Sequence, residues 1–423
     1  MDTKTKDIQS TCIGFINAVE TADIGTSDGV NTKQNAIEWN RGFYNGAHWT
    51  RNEYNAYALK GIEPVTVNRC RAIVKAICGM QNQNAQMIAV EPRKGGTQSV
   101  ADVLTELTKH AQDMSTPDAE GSDYIYSENF QTGLIDRMSF LKAAKDHVGT
   151  PGGQLRFKSL SSYNVDVDPL AKEYNLNESA RFVIERMWRD KDEMDILYGD
   201  KIQQENPTGD ASDDIYSYFT DDYSAEMDET TKKYRYRVRE IWWKEKIEGL
   251  LVVDRRKNIH RVTTDKKEMQ KLRAGSKKGL RYHTETVAVD VMHKTLMLGK
   301  VVLEDTENPH DDVEGFPYFR FCPYWHEGDF AGILDDIIEL NREENQSRTQ
   351  IKKNLTQTLN TGWKVKGGTK KKKQELADFG SVDGLVLDES EYGNGAEKIE
   401  GNSVPIGHFA QAEQMERDIK LVS

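Results

Sequence analysis

The stretch YWHEGDFAGILDDIIELNREENQSR, residues 324–348, decides the fold because it starts a long helix whose character changes along its length. The first turns carry an apolar face made of Ile333, Leu334, Ile337 and Ile338. A polar belt follows, made of Asn341, Arg342, Glu343, Glu344, Asn345, Gln346 and Arg348. The spacing predicts a helix from Ala331 to about Asn360, with a length of roughly 45 Å.

The polar belt interrupts the apolar stripe, which returns further along at Ile351, Leu355 and Leu359. Buried polar groups without partners would cost about 1 to 3 kcal/mol each in a lone chain. In a ring of identical subunits they could pair with a neighbouring copy or face a water-filled channel. The pattern therefore favours assembly, and we predict that the following residues lie at subunit contacts: Asn341, Asn345, Arg348, Ile351 and Leu355.

The charge of the chain reverses locally from this helix onward. The whole sequence has 69 acidic and 57 basic residues and a net charge of −12. Residues 342–373 contain ten basic and two acidic residues, including the lysine run 370–373. A lysine run alone is typical of a solvated face or a nuclear signal. Beside a long helix, the reversal predicts a surface that faces phosphates or an acidic partner.

The sequence before the long helix predicts an α+β fold with two modules. Residues 1–233 form a mixed, mainly helical part, in which 127–148 has helical spacing and the acidic stretch 204–231 is an exposed or mobile insertion. Residues 234–328 form a β-rich module, because five stretches have period two: YRYRVREIWW, GLLVVDR, TVAVDVMH, GKVVLE and YFRFCPYW.

Composition excludes several protein classes. No apolar run approaches the length of a membrane-spanning helix, and the first residues lack a signal-peptide core, so we expect a chain that is neither inserted nor secreted. Four scattered cysteines predict no disulfide framework and indicate a reducing compartment. The acidic balance argues against nucleic-acid binding over the whole surface.

The search for chemistry finds no catalytic, cofactor or metal site. The motifs GxxxxGK[ST], GxSxG and HExxH are absent, so we predict a protein that is not an enzyme and needs no cofactor. Asp166 and Asp168 in NVDVDP resemble the start of a calcium loop, or simply form an Asp-Pro turn after a strand. Histidines 260, 283, 293 and 310 are interpreted as solvated surface residues, with a distributed metal site as the alternative.

The succession of these features resembles the portal proteins of tailed bacteriophages, especially those of short-tailed phages. The stretches that carry the resemblance are FYNGAHW (43–49), PVTVNRCRAIVKAICGMQNQNAQMIAVEP (64–92), SYNVDVDP (162–169), RFVIERMW (181–188) and GFPYFRFCPYWHEGDFAGILDDIIELNREENQSRTQIKKNLTQTLN (315–360). DGLVLDES (383–390) and HFAQAEQMERDIKLVS (408–423) match more loosely. Their order along the chain, rather than any one motif, carries the resemblance.

The resemblance implies a portal architecture. Residues 1–233 and 234–328 would form the wing, 329–360 the first stem helix, 361–405 a small α/β clip and 406–423 the start of the second stem helix. Arg417 and Lys420 would then lie near the channel and its DNA. The family continues past this point into a channel-lining helix, a tunnel loop and a crown, so we expect a chain truncated at its C-terminus.

The resemblance also implies partners and a location. A ring, expected to have twelve subunits, would sit at one capsid vertex of the virion after assembly in the host cytoplasm. Its partners would be the terminase, a head–tail adaptor, capsid and scaffolding proteins, and double-stranded DNA that passes without sequence specificity. Six clip lysines would contact the terminase or adaptor: Lys364, Lys366, Lys370, Lys371, Lys372 and Lys373.

Two other functions stay open at this point. A metal-dependent DNA-processing enzyme fragment would use Asp166 and Asp168 to bind Mg²⁺. Another virion structural protein, such as an adaptor, is the second alternative. Mass measurement with negative-stain imaging would separate it, since a portal should show rings with a central hole.

Overall fold

The chain forms two compact units in the computed structural model. The described residues are 3–24, 33–84, 89–93, 95–114, 123–146, 153–205, 235–254, 259–277, 282–309, 315–359, 363–365, 370–371, 374, 396–398, 413–415 and 417–419. One unit, which we call the sheet unit, comprises 1–36 and 85–331; the other, the long-helix unit, comprises 37–84 and 332–423. The mixture of helices and sheets agrees with the predicted α+β class.

The helices and strands are numbered in chain order. The helices are α1 (Thr3–Ile24), α2 (Lys33–Asn45), α3 (Arg51–Ala58), α4 (Arg69–Gln83), α5 (Gln98–Met114), α6 (Asp123–Asp136), α7 (Leu176–Ser179), α8 (Lys191–Glu205), α9 (Lys266–Lys277) and α10 (Ile333–Leu359). The strands are β1 (Ser139–Asp146), β2 (Gln154–Ser161), β3 (Val165–Val167), β4 (Phe182–Asp190), β5 (Arg235–Asp254), β6 (Ile259–Thr263), β7 (Tyr282–Leu298), β8 (Val301–Glu307), β9 (Tyr318–Phe321), β10 (Tyr324–His326), β11 (Asp329–Ala331), β12 (Trp363–Val365) and β13 (Ala396–Lys398). Within these described ranges, no helix is long and apolar enough to cross a membrane.

The larger sheet of the sheet unit is antiparallel, with the order β3-β4-β5-β7-β8, and β6 pairs with β5. Strand β5 is one strand of 20 residues that joins two of the predicted stretches. It pairs with β4 over residues 235–243 and with β7 over residues 238–254, and its alternate residues Tyr236 and Val238 lie in a core with Leu303. Since β4 lies before residue 233 and β5 after it, the predicted module boundary at 233 does not separate compact units.

The smaller sheet has the order β2-β1-β9, and it corrects the prediction of one helix over 127–148. Helix α6 ends at Asp136, Arg137 adopts φ +72°, and the chain continues as strand β1. Strand β1 is hydrogen-bonded on both sides, to β2 and to β9, which a helix could not be. Tertiary pairing thus outweighs the helical spacing of these residues.

The long-helix unit is built around α10, which confirms the predicted helix to within two residues at each end. The helix packs against α4. Within the predicted clip, β12 pairs with β13 in antiparallel register. Most of the predicted acidic insertion, from residue 206 onward, lies outside the described residues.

Candidate functional site

A row of polar side chains holds the long helix α10 inside its own unit. We call Asn341, Asn345 and Thr349, all fully or almost fully buried, the polar ladder. Their side-chain oxygens accept hydrogen bonds from three alternate backbone amides, those of Arg69 (3.1 Å), Val67 (2.8 Å) and Val65 (2.9 Å) respectively. The ladder therefore satisfies the backbone of the segment that leads into α4, where the chain forms no strand in the described residues.

The ladder depends on a match between two periods. Four residues of α-helix advance about 6 Å, and two residues of extended chain advance about 6.6 Å. Polar residues at every fourth helix position can thus reach every second amide of an extended segment that runs in the opposite direction. Asn341 adds a second bond, because its Nδ2 donates to the carbonyl of Val67 at 2.9 Å.

His48 completes the ladder as a neutral acceptor. Nδ2 of Asn345 donates to Nδ1 of His48 at 2.7 Å, so Nε2 carries the proton and donates to the carbonyl of Phe43 at 3.1 Å. Burial lowers the pKa of His48 below its usual value, although the bond to Phe43 opposes this. The turn is positioned by Gly46, whose φ of +103° follows the end of α2.

A buried carboxylate lies beside the ladder on the same helix. The side chain of Glu344 is fully buried, and its Oε1 accepts from Arg348 at 2.9 Å and from Arg69 at 3.4 Å. The side chain of Arg348 is 37% exposed. Arg348 therefore neutralises a buried charge of its own helix while it still reaches the surface.

These contacts correct the reasoning behind the predicted subunit contacts. Asn341 and Asn345 are fully buried in a single chain and their polar groups have partners within it, so they do not need a neighbouring copy. Ile351 is also buried, whereas Leu355 is 42% exposed. Of the five predicted residues, Arg348 and Leu355 reach the surface, and a contact with another subunit stays a prediction.

The predicted clip lysines are only partly described. Lys370 and Lys371 are exposed, and Lys364 lies in β12 opposite Glu397 of β13 in the backbone register. Lys366, Lys372 and Lys373 lie outside the described residues. Of the two predicted channel residues, Arg417 is exposed and Lys420 lies outside the described residues.

Both aspartates of the alternative metal site are bound to arginines. Asp168 receives two bonds from Arg181, at 2.6 and 2.9 Å, and Arg186 approaches Asp166 at 3.1 Å. Burial raises the pKa of Asp168, but the bonds from Arg181 and from the amide of Leu170 outweigh it and hold the pKa below its usual value. These carboxylates are structural ion pairs, and the enzyme hypothesis loses the residues on which it depended.

The interpretation of the histidines is wrong for His293, which is buried. Its ring stacks on Trp243 and lies 3.4 Å from Asp305 and 3.1 Å from Glu245. Burial lowers the pKa of His293, but the two carboxylates outweigh burial and raise it. His283 is exposed, and the side chains of His260 and His310 are not described. Nowhere in the described ranges do three or more His, Cys, Asp or Glu side chains come together to hold a metal ion.

Sequence reasoning missed the polar ladder, although a signal was present. Polar residues at 341, 345 and 349 recur every fourth position, and Pro64 precedes a segment, VTVN, that alternates apolar and polar residues. The two periods correspond only when the segments are compared with each other. Taken alone, the pattern in the helix indicates an interrupted apolar stripe, and the segment after Pro64 indicates a loop.

Comparison with known proteins identifies one family. A family model described as Phage P22-like portal protein matches residues 32–423. No curated protein matches the chain. The matched range contains the polar ladder, the whole long-helix unit and most of the sheet unit, while helix α1 lies before it.

Proposed function

Because the chain belongs to the P22-like phage portal protein family, we propose that it is the repeated subunit of a ring that forms the DNA channel at one capsid vertex. Membership makes the chain a structural protein of the phage virion, with a part in DNA packaging. The match over residues 32–423 is the single observation that carries the proposal, since it spans both compact units.

The proposed architecture assigns a role to each part of the chain. Residues 1–233 and 234–328 form the wing, α10 the first stem helix, 361–405 the clip and 406–423 the start of the second stem helix. Helix α10 has 27 residues and a length of about 40 Å, and the polar ladder fixes one side of it. The ladder holds the middle of this helix, from Asn341 to Thr349, against its own unit.

The exposed side of α10 next to the ladder is available to a neighbouring subunit. We assign this contact to Arg348 and Leu355, whose side chains reach the surface. In a ring, expected to have twelve subunits, the same contact repeats around the axis. Asn341, Asn345 and Ile351 support that face from behind rather than touching the neighbour.

Charge suits a channel through which DNA slides. A chain of net −12 does not neutralise many phosphates, and tight phosphate contacts would slow the strand that must pass. The basic clip, including the exposed Lys370 and Lys371, suits an acidic partner instead. We assign terminase or head–tail adaptor docking to this region, and proximity to the channel to Arg417 and Lys420.

Imaging with mass measurement tests the proposal. Purified chain should give rings with a central hole in negative stain and a mass that is a large multiple of 48.2 kDa. Capsid and scaffolding proteins should incorporate these rings during assembly in the host cytoplasm. A particle without a hole would contradict the proposal and favour another virion protein such as an adaptor. Cleavage of plasmid DNA in Mg²⁺ would contradict a structural role.

A further inference from the structure

The far end of the β5–β7 strand pair forms a small module. Strand β5 continues past its pairing with β4, and residues 244–254 run for about 35 Å along β7. Helix α9 packs on the last part of this pair, since Met269 and Leu272 lie in one apolar core with residues of β5. We call the module, residues 248–286 with β6 and α9, the ribbon end. Its core is separate from the larger cores of the sheet unit.

The charge of the ribbon end is opposite to that of the whole chain. Residues 248–286 contain eleven basic and five acidic residues, in a sequence whose net charge is −12. Glu248 and Glu268 form ion pairs with arginines of the module, and Asp265 caps α9 by accepting from a first-turn amide at 2.9 Å. The side chain of Asp254 is not described. Roles inside the module thus account for three of the four acidic side chains that the structure describes here.

The fourth, Glu285, lies on the face of the ribbon end that points away from α9. Leu250 and Val252 pack against α9, so Leu251 between them faces the other way. Glu285 and Val262 are both opposite Leu251 in the strand register and therefore share its side of the sheet. The side that carries α9 is thus the basic side.

Three lysines of α9 are exposed and have no partner among the described residues: Lys266, Lys267 and Lys271. Lys267 and Lys271 lie four residues apart on the outer side of the helix, where like charges repel. Lys266 and Lys267 lie in the first turn, where the positive end of the helix dipole disfavours cations. Both features lower the stability of the chain alone, and a bound anion would offset them. The arrangement therefore indicates an anionic ligand.

The exposed groups on the α9 side suit phosphates better than an acidic protein. Gln270 is exposed beside the three lysines, and side-chain amides commonly contact phosphates. Protein interfaces have an apolar centre, whereas nucleic-acid interfaces are polar and positively charged. Val262 is the large apolar residue of the described ribbon end that is well exposed, and it lies on the opposite side. A phosphate polyanion is therefore the ligand class that fits.

We infer that the α9 side of the ribbon end binds the phosphate backbone of double-stranded DNA through Lys266, Lys267 and Lys271, without reading its sequence. The inference rests on the proposed function, because a subunit with a part in DNA packaging meets duplex DNA as its phosphate polyanion. Non-specific contacts of this kind are weak, with dissociation constants of about 10⁻⁴ to 10⁻⁶ M, so a moving strand is released. Repetition around a ring raises the apparent affinity without any new contact.

Fluorescence anisotropy of the full chain with a labelled duplex of arbitrary sequence tests this contact. The reversal variant, Lys267→Glu with Lys271→Glu, should weaken binding at low salt by about tenfold or more. The slope of log affinity against log salt should also fall by about 2, because two phosphate contacts are lost. Lys267→Arg with Lys271→Arg keeps both charges and should bind as the unaltered chain does.

Matched controls separate the contact from net charge and from folding. Lys60→Glu with Lys75→Glu makes the same change in charge at two exposed positions of the long-helix unit, so duplex affinity should stay within about twofold. Thermal unfolding of the reversal variant should not occur at a lower temperature than that of the unaltered chain, because the substitution removes the repulsion. If the reversal variant does unfold earlier, Lys267→Gln with Lys271→Gln removes the charges alone and should still lose affinity.

Equal affinities of the reversal variant and the control would overturn the inference, as would an unaltered chain that does not bind the duplex. Stronger competition by polyglutamate than by unlabelled duplex would also overturn it, and would indicate an acidic protein partner. Ring formation in negative stain is a separate result. Rings whose DNA binding ignores the reversal contradict this contact alone, whereas reversal-sensitive binding by a chain without rings contradicts the proposed ring and supports the contact.

Discussion

Buried polar groups are satisfied by charge in one region of this protein and by neutral hydrogen bonds in another. In the sheet unit, the ammonium of Lys142 lies 2.5 Å from Glu185 and 2.8 Å from Glu240 inside an apolar core. In the long-helix unit, the polar ladder and His48 meet backbone amides and carbonyls without any net charge at the contact. The difference decides how each region responds to a lost partner and to pH.

The charged region is a network rather than a pair. The hydroxyl of Tyr318 donates to Glu185 at 2.8 Å and the indole of Trp242 donates to Glu240 at 2.6 Å. Burial lowers the pKa of Lys142, but the two carboxylates outweigh it and raise the pKa above the usual value. Burial likewise opposes the charge of Glu240, and Lys142 and Lys294 restore it by holding the pKa of Glu240 low.

The stability of the ladder thus depends on hydrogen-bond geometry, whereas the stability of the Lys142 network depends on electrostatics. A neutral hydrogen bond contributes about 1 kcal/mol net, so the ladder depends on several bonds whose spacing matches. A buried ion network has a high cost of desolvation, so the loss of a buried member leaves uncompensated charge and is costly. Four predictions test this contrast, from the largest expected effect to the smallest.

Removing the central cation should have the largest effect. Lys142→Met leaves two buried carboxylates without their cation, and we expect a loss of about 3 to 5 kcal/mol in unfolding free energy. Urea unfolding with hydrogen exchange of β4 and β5 measures it. The matched control is Lys294→Met, because Lys294 is 40% exposed and 3.9 Å from Glu240, and this variant should change stability little. Equal effects of both substitutions would contradict the network.

Breaking the ladder should lower the free energy of unfolding by less than the loss of Lys142 does. Asn345→Leu leaves the amide of Val67 and Nδ1 of His48 without partners, which should destabilise the long-helix unit by about 1 to 3 kcal/mol. Hydrogen exchange should rise in the segment 62–70 and not in the sheet unit. The control is Gln346→Leu, an exposed position on the same helix. Slow exchange of Val67 in the Asn345 variant would argue against the ladder.

The two buried histidines should give pH effects of opposite sign. The pKa of His48 lies below 6.5 in the folded chain, so its contribution is present above pH 6.5 and is lost as pH falls toward the folded pKa. The pKa of His293 lies above 6.5, so its contribution is present below pH 6.5 and is lost as pH rises through the folded pKa.

Single variants separate these two contributions. His48→Gln should flatten the loss of stability on the acid side, and His293→Gln should flatten the loss on the alkaline side. Thermal unfolding between pH 5 and 8 measures both, with the unaltered chain as reference. Changes on the same side of pH 6.5 in both variants would contradict the opposite environments.

Reversing the charge of the clip lysines should have the smallest effect on the free energy of unfolding. Lys370→Glu with Lys371→Glu alters two exposed side chains, so unfolding should be unchanged within about 0.5 kcal/mol. Binding of the head–tail adaptor should weaken, and most at low salt, where charges are screened least. Unchanged adaptor affinity at low salt would end the assignment of these lysines. The matched control is Lys352→Glu with Lys353→Glu, a reversal of equal charge on the helix.

The sequence predicted the elements whose pattern is local. Helix α10 and the strands β7, β8 and β9 follow their apolar periods closely. Strand β1 was missed for a physical reason, because Lys142 occupies a core-facing position and hides the period of two. A lysine is acceptable there only because Glu185 and Glu240 come from other strands.

The sequence indicated where the candidate site lies along the chain, but not which groups its side chains bond. The polar belt of α10 was recognised from its composition, yet its amides were assigned to a neighbouring subunit. Their partners in the chain, at residues 65–70, lie more than 270 positions away. Nothing in the local pattern of either segment reveals the other, because hydrogen-bond partners are set by the tertiary arrangement.

The sequence by itself determined the α+β class, the long helix, the acidic charge with its basic reversal, and the resemblance to phage portals. These follow from periodicity, composition and the order of segments, which the chain carries locally. Only the tertiary structure decided that Asn345 meets Val67, that Asp166 and Asp168 bind arginines, and that α5 exposes Val103 and Leu107. Whether a polar or apolar group is satisfied depends on what lies opposite it, and that is a property of the folded chain.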